Sequence, residues 1–170
     1  MKNFITFLKN IWAFRKSLWK FRWWDYNFTL EMMKTSLQIM SDNLETKGIE
    51  VDGPRMKKVY KMRRAIEIMN NMNNVHHIEM AEKELGELFI EPFEFKDSVD
   101  YPGSFELVDR LTPEQKEHNT KVYARASEIE EQEWVELWEI FKGKDKSKYS
   151  PLICEWDDWF DGTGMRGWWD

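Results

Sequence analysis

Apolar side chains recur every three or four residues along most of this chain, the spacing of one face of an α-helix. Phe4, Leu8, Ile11, Trp12, Leu18 and Trp19 carry that period through residues 3–22 and predict an amphipathic first helix. Asp25 stands where it can cap a second helix reaching about Lys47, with the stripe Leu30, Met33, Leu37, Met40 and Leu44 in a coiled-coil-like alternation. Gly48 follows as its stop, since glycine tolerates the left-handed conformation found there. Asp52-Gly53-Pro54 resets the chain. Pro54 is expected at the first position of a third helix over 54–72, where its missing N–H costs nothing. That helix should bury Met56, Val59, Ile66 and one of Met62 and Met69, and turn Arg55, Lys57, Lys58, Lys61, Arg63 and Arg64 outward. Asn70-Asn71-Met72-Asn73-Asn74 frays it, and a short fourth helix follows with Ile78, Ala81, Leu85 and Leu88 on one side.

The period changes from about Phe89 to Arg110. Phe93-Glu94-Phe95-Lys96 and Phe105-Glu106-Leu107 alternate around Asp100-Tyr101-Pro102-Gly103-Ser104, which predicts a small β-hairpin or an ordered loop inserted over 89–110. Structureless loops of this length are uncommon unless they are functional, so the insertion is a candidate contact surface. Thr112-Pro113-Glu114-Gln115 combines an N-cap, a proline at the first helical position and a capping-box Gln. The helix it opens should run to about Lys142 and stop at Gly143, with Val122, Ala126, Ile129, Trp134, Leu137, Trp138 and Phe141 on its apolar side. The expected fold is mainly α: a single domain over 1–170, a bundle of about four to five helices carrying the insertion and a Trp-rich acidic C-terminal strap over 144–170.

Composition adds one strong asymmetry. All 10 tryptophans lie at the two ends: Trp12, Trp19, Trp23 and Trp24, then Trp134, Trp138, Trp156, Trp159, Trp168 and Trp169. Either the ends meet and share one aromatic cluster, or part of the set is a binding surface, because Trp is enriched at binding hot spots. The C-terminal group Trp156, Asp157, Asp158, Trp159, Phe160, Trp168, Trp169 and Asp170 alternates aromatics with acids. Exposed, it would be an acidic anchor for a basic groove on another protein. Burial against the first helix is the preferred reading, because so much apolar area is costly to leave wet.

Charge is polarised too. Residues 1–64 carry 14 Lys and Arg against 6 Asp and Glu, whereas the remainder carries 11 against 25. The basic set on the first and third helices, with Arg55, Lys57, Lys58, Lys61, Arg63 and Arg64 on the third and with Trp19, Trp23, Trp24 and Tyr60 nearby to stack on bases, is a candidate phosphate-binding surface for a nucleic acid or nucleotide. The simpler alternative, pairing with the acidic last helix or with solvent, is favoured by a pI of about 5.3.

Catalytic patterns fail one by one. Gly162-Thr163-Gly164-Met165-Arg166-Gly167 spells G-x-G-x-x-G with only three residues left to follow it, where a dinucleotide site needs a helix. Asp161-Gly162-Thr163 has Trp159 where a phosphatase-type loop needs its first Asp. His77-Ile78-Glu79 lacks the Pro-Cys-x-x-Cys of a zinc deaminase, and Cys154 alone builds no thiolate zinc site. His76 and His77 are expected as a solvated helix start, and Cys154 as a small buried hydrophobe. No catalytic residue, metal site or cofactor is assigned, and an enzyme is not supported. The apolar N-terminal stretch is broken by Lys9, Arg15 and Lys16, so neither a signal peptide nor a membrane span is expected.

A basic aromatic start leading into Trp24-Asp25-Tyr26, a long helix over Phe28–Leu44, a Lys/Arg-rich third helix and a Trp-rich acidic end closing on Trp168-Trp169-Asp170 resembles a group of small, Trp-rich, uncharacterised proteins of tailed bacteriophages. The resemblance covers roughly residues 15–85 and 134–170; residues 89–120 look specific to this chain. It implies a viral protein made in a host bacterial cytoplasm and carries over no activity, cofactor or site residue. The leading expectation is a non-enzymatic accessory protein that binds a host or phage protein, in host takeover or in blocking a defence system, through the C-terminal surface and the insertion. The alternatives are a nucleic-acid or nucleotide-binding protein using the first and third helices, and a virion or assembly component. Oligomeric state is open.

Overall fold

The computed structural model describes residues 2–72, 75–99, 101–143 and 164–168. The protein is mainly helical, with a small antiparallel hairpin. In chain order the elements are α1 (Lys2–Lys20), α2 (Tyr26–Lys47), α3 (Asp52–Asn71), α4 (His76–Leu85), β1 (Phe95–Asp97), β2 (Phe105–Leu107), α5 (Pro113–Lys142) and a 3-10 turn at Met165–Gly167. The chain divides into two compact units: Met1–Asn74 with Glu133–Asp170, and Val75–Gln132. Helix α5 contributes residues 133–142 to the first unit and 113–132 to the second.

The first unit is built on the antiparallel pair α2 and α3. Their direction follows from the cross-links: Lys34 Nζ reaches Asn70 Oδ1 at 2.9 Å, and Glu45, further along α2, pairs with Arg63, earlier on α3. Asp25 caps α2 as its sequence predicts, accepting a hydrogen bond from the Asn27 backbone N–H at 2.9 Å. Gly48 ends α2 for a reason the sequence did not reveal. Its φ is -61°, not left-handed; instead a Cβ there would fall 2.5 Å from Leu44 O and 2.7 Å from Arg55 Cδ. Helix α3 begins at Asp52, so Pro54 occupies its third position rather than its first. The first turn still has no carbonyl to offer that residue's N–H, so proline is tolerated there.

Leu30, Leu37 and Leu44 of α2 interlock with Val59, Met62, Ala65, Ile68 and Met69 of α3, and Leu137 of α5 and Trp168 complete this core. Met62, Ala65, Ile68 and Met69 are completely buried, and each of the larger three contributes about 1.5–3 kcal/mol by leaving water. Unbranched methionines suit the irregular gaps of such an interface. The expected core of α3 holds at Val59, Met62, Met69 and, half-buried, Ile66, but Met56 is 40 % exposed. Two residues later Lys58 is 5 % exposed and pairs with Glu50 from the α2–α3 loop, so at its N-terminal end the buried stripe takes in Lys58 rather than Met56.

The second unit has a smaller core: Ala81 of α4 against Val122 and Ala126 of α5, flanked by Ile78, Leu88 and Ile129. His77 is buried, 9 % exposed, rather than part of a solvated helix start. It lies four residues before Ala81, hence on the inward face of α4. The capping box of α5 forms in both directions, Gln115 N–H donating to Thr112 Oγ1 at 3.3 Å and Thr112 N–H to Gln115 Oε1 at 2.9 Å. Gly143, with φ 68°, terminates the helix in the left-handed conformation, its N–H on Glu139 O at 2.9 Å.

Candidate binding surfaces

The insertion is the first candidate, and a set of side chains on α5 holds its root in place. Asn119 uses its amide as a substitute strand partner: its Oδ1 accepts from Phe89 N–H at 3.0 Å and its Nδ2 donates to Phe89 O at 2.9 Å. One residue before it, His118 Nε2 lies 3.0 Å from Glu87 O, and the His118 ring meets Phe89 edge-on with centroids 5.3 Å apart. Glu91 accepts from Arg110 N–H at 3.0 Å, the Arg110 guanidinium pairs with Glu94, and Lys116 bonds Asp109 at 2.6 Å. That bond and the Leu111 N–H hold the Asp109 carboxyl below its usual range.

Beyond this root the hairpin forms with Phe95 opposite Leu107, Lys96 opposite Glu106 and Asp97 opposite Phe105. Strand alternation then separates two faces. One carries Lys96, Ser98 and Glu106, joined by a Ser98 Oγ–Glu106 Oε1 bond of 2.6 Å and a Lys96–Glu106 contact of 3.5 Å. The Ser98 bond, seconded by the Lys96 charge, holds the Glu106 carboxyl below its usual range. The other face carries Phe95, Phe105 and Leu107, which are 64 %, 70 % and 52 % exposed, with Asp97 at its edge opposite Phe105. Nearby Ile90, Phe93, Val99 and Tyr101 are exposed as well. A two-stranded ribbon ordinarily covers its apolar face to be stable; here the polar face is tied internally and the apolar one faces water.

The second candidate is α1. Its apolar side chains Phe4, Ile5, Phe7, Leu8, Ile11, Trp12, Leu18 and Trp19 are exposed, Phe14 is half-buried, and its buried residue is Ser17, whose hydroxyl bonds Thr35 Oγ1 of α2 at 2.7 Å. The helix therefore turns inward the side that carries Phe14 and Ser17, one turn apart, and not the side of Leu8 and Trp12. Arg15 lies over the Trp12 ring at 3.9 Å, and Trp23 and Trp24 pack edge-to-face at 5.7 Å. The expected clustering of the two aromatic ends is not found among the described tryptophans. Trp12, Trp19, Trp23, Trp24 and Trp138 are at least 64 % exposed, Trp134 is 37 % exposed, and only Trp168 is buried. Trp168 packs against Phe141 of α5 at 5.9 Å, not against α1. It is a core residue rather than part of an exposed C-terminal anchor. Trp156, Asp157, Asp158, Trp159, Phe160, Trp169 and Asp170, together with Cys154, lie outside the described residues.

The basic face of α3 is largely engaged with carboxylates. Arg55 bonds Asp52 at 2.6 Å and Gly48 O at 2.8 Å, Lys58 pairs with Glu50, and Arg63 with Glu45. Arg64 reaches Glu136 of α5 and Glu67. These bonds raise the Arg64 guanidinium above its ordinary value, chiefly through Glu136. Lys57 and Lys61 also make interactions. An open groove of about 410 Å³ between Ala13, Thr35, Ile39 and Ile66 is edged by Glu31, Lys34 and Asn70, whose polar groups already bond one another. Among the described residues no three His, Cys, Asp or Glu side chains are grouped to hold a metal ion, and no helix is long and apolar enough to cross a membrane. Comparison with protein families, with curated proteins and with solved structures gives no match.

Proposed function

We propose that this is a bacteriophage accessory protein that acts by binding, not by catalysis, and that it captures a bacterial protein in the host cytoplasm through the 89–110 ribbon. The observation that carries this reading is the apolar face of Phe95, Phe105 and Leu107, left open on a segment whose root is firmly held by Asn119, His118 and Glu94. A pre-ordered apolar surface loses little conformational freedom on docking, which favours affinity. Around it, residues 89–110 carry six Asp and Glu against two Lys and Arg, so the matching partner surface is an apolar patch with a basic rim. Trp156, Asp157, Asp158, Trp159 and Phe160 offer a second acidic-aromatic contact of the same kind. The resemblance to Trp-rich phage proteins supplies the viral context. Nucleic-acid binding through α3 has less support, because Arg55, Lys58, Arg63 and Arg64 already hold carboxylates.

The test is capture from bacterial lysate by the immobilised chain and by the double variant Phe95→Ser, Phe105→Ser. A specific host protein retained by the parent and lost by the variant, with unchanged helicity, supports the reading. Equal retention by both removes the ribbon from the function.

A further inference from the structure

The α1 helix places its side chains the opposite way round from a helix of a soluble bundle. Over its 19 residues, about 28 Å at 1.5 Å per residue, the apolar positions sweep about half the wheel at about 100° per residue. That half is uncovered: Phe4 is 62 % and Trp12 is 68 % exposed. The side turned to α2 instead carries Ser17, with the half-buried Phe14 one turn before it. Along one margin of the apolar half run Lys9, Lys16 and Lys20, spaced seven and four residues apart, with Trp12 and Trp19 between this row and the aliphatic centre; Arg15 rises from within the apolar half, its guanidinium folded over the Trp12 ring. No acid occurs before Asp25.

We propose that α1 is a membrane-surface helix that lies in the headgroup layer of an anionic bilayer. Leu8, Ile11 and Leu18 enter the acyl boundary, Trp12 and Trp19 lie at the interface, and Lys9, Lys16 and Lys20 meet lipid phosphates. A wide apolar face, a cationic margin and interfacial Trp are the features by which such helices bind, and Arg15, folded over Trp12, reaches the headgroups by snorkelling along its aliphatic stem. The helix lies on the surface and does not span it, because its cations interrupt the apolar run. Charge complementarity selects the occupant. The helix carries cations without a single acid to pair them, and an anionic leaflet attracts such a segment. A nucleic acid would also match the cations and find Trp12 and Trp19 to stack on, but it would leave the aliphatic Ile5, Leu8, Ile11 and Leu18 in water, whereas acyl chains accept them. The Ser17–Thr35 bond fixes the helix by its opposite side, which leaves the apolar face free to meet a flat surface.

Flotation of the full chain with vesicles tests this directly. With phosphatidylcholine vesicles containing about 30 % phosphatidylglycerol the protein should float, with pure phosphatidylcholine far less, and added salt should release it. Charge reversal at Lys9 and Lys16 should weaken binding about fivefold per cation removed. Leu8→Glu with Ile11→Glu should abolish flotation; both residues are exposed, so thermal unfolding should not move. Failure to float with either vesicle overturns the proposal, as does flotation that survives the Leu8→Glu, Ile11→Glu change. So does a dimer that the same change dissolves while vesicles bind nothing, since the face would then belong to a second copy. Retention on single-stranded DNA with empty vesicles would reassign the cations and equally overturn it.

Discussion

Arg64 of α3 grips Glu136 of α5 through two parallel hydrogen bonds of 2.7 Å each, from its Nε and Nη2 to the two carboxylate oxygens. The residues are 72 positions apart in sequence, and the pair ties the C-terminal part of α5 to the α2–α3 core of its own unit. The bidentate geometry is the strongest form an exposed ion pair takes.

Breaking this pair should cost about 1 kcal/mol in either Arg64→Ala or Glu136→Ala, because both side chains remain partly solvated. A double-mutant cycle measured by thermal unfolding should show coupling of the same size. The Arg64 bond holds the Glu136 carboxyl below its usual value of 4.5. Its contribution is therefore complete above the unfolded value and lost as pH falls through the lower folded value. Coupling that persists unchanged well below pH 4 would contradict the geometry.

Two methionines of α3 separate the buried stripe from the exposed one. Met62→Ala, at a position with no solvent exposure, should destabilise by about 2–5 kcal/mol. Met56→Ala should stay within about 0.5 kcal/mol, since that side chain is 40 % exposed. Denaturant midpoints of the two variants decide it; equal shifts would mean that α3 is rotated from the orientation described.

Asn119→Ala should free the root of the ribbon without unfolding the helices. The Phe89 amide loses its acceptor at 3.0 Å, so its hydrogen exchange should quicken about tenfold for each 1.4 kcal/mol lost, while the Val122 amide keeps its protection. Host-protein capture should weaken along with Phe89 protection if rigidity of the ribbon matters for binding. Unaltered exchange at Phe89 would show that the arm is held by other contacts.

Thr112→Ala removes one half of the α5 capping box and should cost about 1 kcal/mol, with Thr112→Ser retaining most of it. Circular dichroism melts of the two variants provide the comparison, and an indifferent alanine variant would show that the first turn of α5 adds nothing to stability.

What the chain declares by itself is whatever depends on neighbours in sequence. Asp25 and Thr112 start helices, and Gly143 stops one, because each forms its hydrogen bonds within four residues of itself. The alternation in Phe93–Lys96 and Phe105–Leu107 likewise announces a hairpin, since register within a two-stranded ribbon follows from its turn. Periodicity also states which residues share a face. It does not state what lies opposite. Only tertiary packing leaves the apolar side of α1 in water while Ser17 meets Thr35, buries Lys58 and His77, exposes Met56, and sets Trp168 on Phe141 rather than on α1. It likewise decides that Arg63 and Arg64 of α3 hold Glu45 and Glu136, and that none of the described helices covers Phe95, Phe105 and Leu107. These outcomes depend on surfaces brought together from distant parts of the chain, where burial of one face competes with burial of another and local spacing carries no record of which wins.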